Sequence, residues 1–278
     1  VVAIANLRKQ PDGSYAEVMN YAVGEAVEPG STFKLASTIA ILEESHLDTS
    51  VKVPTGRLKY YSRWMNDSHR EGWGELSFLE AFEKSSNVGI SYLANEVFHN
   101  KQQRFVDYLC KMHLDRPLGL EIAGEGEPYI KNPSDKTWSG ISLPWMSIGY
   151  EVQVTPMQIL SLYNAVANNG KMLKPMFVQE IRRGSEVVRS FKPTVLVDKI
   201  CSDRTLSTVQ AMLQGVVERG TATNLRNPLY EVAAKTGTAQ MNYGQRGSER
   251  MTYRASVVGY FPADNPRYSC IVMITNPQ

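Results

Sequence analysis

Along the chain the spacing of apolar positions switches between every second residue and every third or fourth, and each switch marks an element. The opening alternates as strands do: "VVAIANL" and "YAEVMNYAV" flank "RKQPDGS", whose Pro-Asp-Gly is turn chemistry, which predicts a hairpin. Pro29-Gly30 then breaks the chain, and Ser31 or Thr32 is placed to cap a helix running to Glu44. Residues 53–75 follow neither period and read as an irregular, basic and aromatic loop packed over the domain. Helical spacing returns over residues 77–85, 87–98 and 102–113, carried by Leu76, Leu79 and Phe82 and then by Val106, Leu109 and Cys110. A turn-rich middle, "GLEIAGEGEPYIKNPSDKTWSG", separates these from a helix with Pro156 in its first turn and Gly170 at its stop.

Beyond Gly170 strands dominate. "KPMFVQEIRR" and "EVVRSF" pair across Gly184-Ser185, and "DRTLSTVQAMLQGVVERG" forms a long helix ending at Gly220. Three strands close the chain, "EVAAKTGTAQ", "YRASVVGYF" and "RYSCIVMI". Strands at both ends with helices between them predict one α+β domain over residues 1–278, with an antiparallel sheet flanked by helices.

Composition narrows the classes. The 278 residues, 42% of them hydrophobic, suffice for a proper core. Thirty Lys and Arg against 28 Asp and Glu leave a net charge of +2, so bulk charge does not draw the chain to nucleic acid or anionic lipid. The basic aromatics of residues 53–75 are diluted by His69, Glu71 and Glu75, and no nucleic-acid partner is expected. Cys110, Cys201 and Cys270 lie far apart without C-x-x-C, which indicates neither a disulfide framework nor a thiolate site; Cys110 and Cys270 read as small core residues. His46, His69, His99 and His113 form no H-E-x-x-H, and no phosphate-cradling glycine loop is present, so no metal and no cofactor is expected. No stretch approaches the roughly 18 apolar residues of a membrane span. The chain starts without Met inside a strand, and the expectation is a domain excised from a longer protein.

The chemistry sits in three short runs. In "STFK", Ser31 and Lys34 share a helix face one turn apart, and the next turns, "LASTIAIL", carry no charge. A helix apolar all round is buried on every side, so Lys34 is withdrawn from water. Desolvation and a second nearby cation would favour a neutral amine able to take the Ser31 proton. The plain alternative is a serine cap beside a snorkelling lysine. "KSSNVG" adds Ser85, Ser86 and Asn87 at a junction of two predicted helices, where a helix cap is the simple reading. "AAKTGTAQ" adds Lys235, Thr236 and Gly237, which alone is a strand bend. Period two puts Thr236 and Thr238 on one side, where paired hydroxyls can hold a carboxylate, and Gly237 between them leaves room for a ligand backbone. The same alternation aims Lys235 the other way; it must curl around the strand or reach Ser85 from behind, and both routes are open.

Together, S-x-x-K, S-x-N and K-T-G match the set shared by penicillin-binding proteins and serine β-lactamases. The whole chain resembles the transpeptidase domain of class B, monofunctional, penicillin-binding proteins, and "EPGSTFK", "SSNVG", "SIGYEVQVTPMQ" and "AAKTGTAQ" resemble the division-septum branch. The resemblance implies the penicillin-recognising fold, an antiparallel sheet with a helical subdomain, and implies roles for single positions. Ser31 would be the acylated nucleophile and Lys34 its base. Ser85 would relay a proton to the leaving amine, and Asn87 would orient Lys34 and the substrate amide. Lys235, Thr236, Gly237 and Thr238 would bind substrate, and the N–H groups of Ser31 and Thr238 would form an oxyanion hole. Partners implied are peptidoglycan stem peptides ending in D-Ala-D-Ala, β-lactams, a membrane glycan polymerase and other division proteins. The implied place is the outer face of the cytoplasmic membrane, with an anchor outside these residues. A β-lactamase would need a deacylating glutamate; Glu83 and Glu96, each four residues before an Asn, fall in or beside predicted helices and are not counted as one. A carboxypeptidase, an elongation-type enzyme and a β-lactam sensor domain are the other readings weighed; a degenerate binding scaffold conflicts with the intact Ser31, Lys34, Asn87 and Lys235.

Overall fold

The computed structural model describes residues 1–241 and 252–277. A helix at Lys34–Ser45 (α1) is followed by two paired strands, Arg57–Tyr60 (β1) and Arg63–Asn66 (β2). Three helices come next: Phe78–Glu83 (α2), Asn87–Phe98 (α3) and Gln102–Lys111 (α4). Pro156–Ala167 (α5) precedes a hairpin, Glu180–Arg183 (β3) with Glu186–Ser190 (β4). Asp203–Glu218 (α6) then leads into Ala233–Gln240 (β5), Tyr253–Phe261 (β6) and Tyr268–Thr275 (β7).

These three strands form an antiparallel sheet in the order β5-β6-β7, with Lys235 opposite Val258 and Gly237 opposite Ser256. Helix α6 packs on β5, and α5 on β6 and β7. Helix α1 touches α3, α4 and α6, and α2 packs between α3 and α6. One core cluster runs from Leu35 and Ile39 of α1 through Phe82 and Leu93 to Val258 and Tyr260 of the sheet. The arrangement is α+β, as the order of periods along the chain predicts.

Local chemistry explains the helix starts. Ser77 and Glu80 close a reciprocal capping box at α2, and Thr155 with Gln158 does the same at α5, where Pro156 fills a first-turn position that needs no donor. Expectation and structure part at α1. Neither Ser31 nor Thr32 caps it; Gly30–Phe33 winds as a 3₁₀ turn that runs straight into the helix, and Thr32 Oγ1 donates back to the Pro29 carbonyl at 2.9 Å.

The irregular loop expected over residues 53–75 contains the β1–β2 hairpin, turned at Tyr61 with φ +51°, and Arg57 stacks 3.7 Å over the Trp64 ring. The opening hairpin is far shorter than its alternation suggests: only Arg8–Lys9 pairs with Tyr15–Ala16, and Val2 is exposed. Alternation gives a strand two faces but not a neighbour, and here residues 1–5 pair with no strand among the described residues. "KPMFVQEIRR" likewise narrows to Glu180–Arg183. Cys270 is not in the core. It lies on the outward face of β7, the strand on the outside of the sheet, while Cys110 is half-buried and Cys201 buried.

Candidate active site

The turn that carries Ser31 is set by backbone contact. Gly30 has φ +56°, donates its N–H to the Gly149 carbonyl at 3.1 Å, and a Cβ on it would meet Ala239 Cβ at 3.0 Å. Gly149 leaves still less room: a Cβ there would lie 2.2 Å from the Gly30 carbonyl oxygen. Tyr163 of α5 donates to the Thr32 carbonyl at 2.8 Å, and Ser37 Oγ to the Ser147 carbonyl at 2.8 Å. The "SIGYE" segment and α5 thereby hold the turn from outside. Ser31 is half-buried at its opening, and Lys34, one turn on, is fully buried.

Between α2 and α3 the chain makes the second part of the site. Ser85 sits at φ +58°, a left-handed conformation that costs a side-chain-bearing residue roughly 1–3 kcal/mol. Ser86 caps α3 by accepting from Gly89 N at 2.8 Å, which frees Ser85 from that duty. Asn87 donates Nδ2 to the Asn66 carbonyl at 3.0 Å, which turns its Oδ1 inward. Lys34 Nζ donates to that Oδ1 at 2.7 Å, to the Ser85 carbonyl at 2.6 Å and to Ser85 Oγ at 3.2 Å. Among the described residues the Ser31 hydroxyl has no hydrogen-bond partner.

Strand β5 supplies the third part. Lys235, Gly237 and Ala239 face inward while Thr236 is half-exposed and Thr238 exposed, the alternation the sequence predicts. Lys235 takes the route from behind: from the buried face its Nζ donates to Ser85 Oγ at 2.7 Å and to the Thr236 carbonyl at 3.0 Å. Ser85 Oγ is thus shared by two lysines. Gly237 also has a packing use: a Cβ there would strike Ser256 Oγ at 2.5 Å and Thr32 Cγ2 at 2.9 Å, so the glycine lets the Ser31 turn press against β5. Thr236 Oγ1 is 2.6 Å from Thr221 Oγ1, just beyond α6.

Burial dominates the electrostatics. It pulls the Lys34 amine down to about 7, with the nearby Asp67 charge opposing the shift. Lys235 is likewise held well below the usual lysine range, first by burial and then by the charge of Lys34. The counter-charge, Asp67, is itself buried and accepts from Gly56 N at 2.8 Å, Val88 N at 3.0 Å and Ser86 Oγ at 3.0 Å.

The structure brings Lys34, Ser85, Asn87 and Lys235 into one hydrogen-bonded group, with Ser31 one turn before Lys34 and Gly237 against that turn. Thr236 and Thr238 lie along the open side of β5. Sequence reasoning missed Asp67, Thr221, Gly149 and Tyr163. "MNDSH" has no period or motif to single out its Asp, whereas "SIGYE" was noticed without its use being seen. Among the described residues no group of three His, Cys, Asp or Glu side chains is placed to hold a metal ion, and no helix is long and apolar enough to cross a membrane.

Residues 1–278 match the model of the penicillin binding protein transpeptidase domain. Penicillin-binding protein PbpB of Mycobacterium tuberculosis is 31% identical over 268 residues, 93% of this chain and 38% of the relative. Peptidoglycan D,D-transpeptidase FtsI of Escherichia coli is 27% identical over 96% of this chain and 42% of its own length. The chain therefore spans about two-fifths of these curated relatives. Among solved structures, penicillin binding protein 3 of M. tuberculosis complexed with aztreonam superposes with a TM-score of 0.81 at 29% identity, covering 96% of this chain and 60% of that one. The transpeptidase domain of Burkholderia pseudomallei penicillin-binding protein 3 gives 0.78 at 26% identity, over 93% of this chain and 74% of the other. With three motifs meeting at Ser85 and a match along its whole length, the chain belongs to the penicillin-binding protein transpeptidase domain family.

Proposed function

We propose that this domain is a serine D,D-transpeptidase that cross-links peptidoglycan stem peptides. The observation that carries the reading is the convergence of Lys34 and Lys235 on Ser85 Oγ, with Asn87 Oδ1 also held by Lys34, the residue one helical turn from Ser31. In the proposed reaction the amine of Lys34, uncharged in the reacting state, takes the Ser31 proton as Ser31 Oγ attacks the carbonyl of the penultimate D-Ala. The oxyanion is held by the N–H groups of Ser31 and Thr238. Ser85, hydrogen-bonded to both lysines, passes a proton to the departing D-Ala amine, and the C–N bond breaks. An amine of a neighbouring stem then attacks the Ser31 ester, a new amide forms, and the serine regains its proton. Thr236 and Thr238, on the open side of β5, bind the terminal carboxylate.

β-Lactams enter this scheme as mimics of the D-Ala-D-Ala ending whose leaving group stays tethered, so the ester persists. The M. tuberculosis relative was solved with aztreonam and with ampicillin, which supports the same chemistry here. Rapid hydrolysis is not expected. Glu83, one of the two carboxylates weighed as a water-activating base, is buried and tied to Arg219 at 2.7 Å. The E. coli relative is named a peptidoglycan D,D-transpeptidase, and the "SSNVG" and "SIGYE" runs favour a septal role. The reading places the domain on the outer face of the cytoplasmic membrane, anchored by a segment outside these residues, beside a glycan polymerase and other division proteins.

Intact-mass spectrometry after incubation with benzylpenicillin tests it. A stable adduct on Ser31, absent in Ser31→Ala, is expected; no adduct refutes the assignment, and rapid return to the free mass makes the domain a β-lactamase. Release of D-Ala from a stem-peptide donor, with transfer to an amine acceptor, separates the transpeptidase from a sensor.

A further inference from the structure

Behind the three motifs lies a buried carboxylate that none of them contains. Asp67 follows β2 and is 4% exposed. It accepts from Ser86 Oγ, from Val88 N in the first turn of α3, and from Gly56 N before β1, while its own N–H donates to the Gly56 carbonyl at 2.9 Å. Its chain neighbour Asn66 accepts from Asn87 Nδ2. The two residues therefore grip Ser86, Asn87 and Val88, the stretch that directly follows left-handed Ser85.

Building on the acyl-transfer reading above, we propose that Asp67 is a positioning residue of this site: its carboxylate clamps the Ser85-Ser86-Asn87 turn against Lys34 and supplies the negative charge that faces this buried lysine. The clamp is geometric. Ser85 and Asn87 present four contacts to the lysines only while the turn keeps its shape, and three of the groups that hold it there end on Asp67 or Asn66. The charge is equally specific. Among the described residues Lys34 is faced by Lys235 from β5, by Asp67 from the segment after β2, and by the uncharged Ser85 and Asn87; Glu83 at the end of α2 is taken up by Arg219. Of the charged groups among these, Asp67 is the one that favours the protonated amine at Lys34, alongside the uncharged acceptors of Ser85 and Asn87.

The sign follows. Removing the Asp67 charge makes Lys34 easier to deprotonate, so the acid limb of the acylation profile moves to lower pH. A residue that only stabilises the fold would lower the rate and leave the limb in place.

The experiment is stopped-flow acylation by a fluorescent penicillin from pH 5.5 to 9 on the wild-type domain, Asp67→Asn and Asp67→Glu, with thermal melts alongside. Asp67→Asn is expected to lower the plateau on the order of 10²-fold and to shift the limb to lower pH. Asp67→Glu keeps the charge but not the reach, and is expected to lose plateau with its limb near that of the wild type. Wild-type plateau and limb in Asp67→Asn, or a lowered plateau with an unmoved limb, overturns the proposal. If Asp67→Asn does not fold, Ser86→Ala decides: it removes one bond to Asp67 and keeps the charge, so the plateau must fall and the limb must stay. A wild-type plateau in that variant removes the clamp. Failure of the wild-type domain to label at Ser31 is the separate result that defeats the acyl-enzyme reading itself, and the inference with it.

Discussion

Replacing Lys34 with Met should abolish acylation and yet stabilise the domain at mildly acidic pH. The amine is fully buried, and its proton affinity falls from an ordinary 10.5 to about 7. That difference corresponds to roughly 5 kcal/mol of unfavourable interaction with the charged form. The folded state holds the proton more weakly than the unfolded chain, so between the two values unfolding takes up a proton and stability rises with pH. Below about 7 both states are protonated and the whole penalty is present; above 10.5 it vanishes. Met, of similar length and no charge, removes the penalty but strands the Ser85 carbonyl and Asn87 Oδ1, at about 1–3 kcal/mol each. At pH 6 the balance favours the variant by on the order of 1–2 kcal/mol, a Tm higher by roughly 2–8 °C for a domain of this size. By pH 10 only the stranded acceptors remain, and the variant should melt below the wild type. Differential scanning calorimetry of both proteins at several pH values reads the difference directly. A Tm difference that is independent of pH, or that grows as pH rises, would refute the claim that Lys34 is held neutral by burial.

Three further outcomes follow from the geometry. Acylation by benzylpenicillin should rise about tenfold from pH 6 to pH 8 and be half-maximal near 7, because it tracks the uncharged fraction of the lysine pair; a limb above pH 9 would mean an ordinary lysine. Gly237→Ala should destabilise by about 1–3 kcal/mol in urea titration, since the new methyl meets Ser256 Oγ and Thr32 Cγ2, and should slow acylation by shifting the Ser31 turn; a variant of wild-type stability and rate would show that the glycine serves something else. Ser85→Ala should leave substrate affinity nearly intact and reduce the acylation rate on the order of 10²-fold, a split that single-turnover kinetics resolves and that an equal loss in affinity would contradict.

How far the sequence discloses this site depends on the range of each contact. Ser31 and Lys34 are legible because helix geometry alone puts them on one face, and the uncharged run after them announces burial on all sides. The alternation of β5 is legible for the same reason, and it sends Thr236 and Thr238 to one face and Lys235 to the other. The route of the Lys235 stem is not. It depends on where α2 ends relative to the sheet, a contact between residues 150 positions apart. The packing role of Gly237 is not legible either, because the space beside it is taken by Thr32, from the other end of the chain. The helix cap failed at α1 for a related reason: Gly149 and Tyr163 hold the turn from outside, so it needs no side chain of its own. Cys270 looks like a core residue until the pairing of β7 turns Ser269 and Ile271 toward the domain and Cys270 to the exposed face. Asp67 gave no signal at all, for a buried carboxylate is recognised by its donors, and those come from two separate segments, at Gly56 and at Ser86–Val88.

These long-range contacts share a physical logic. Folding ordinarily avoids a buried lysine, a second buried lysine near it, and a serine in the left-handed region, yet here both lysines hydrogen-bond to that serine. Each is unfavourable alone, and each is held by neighbours that have no need of the others: the α1 core around Lys34, the β5–β6 ladder behind Lys235, the Asn66-Asp67 grip on the residues after Ser85. The reactive group is the place where three rigid bodies meet, so its geometry is fixed before any substrate arrives. An uncharged amine beside a hydroxyl is favoured there, because Lys34 and Lys235 are both buried and burial holds each below the usual lysine range.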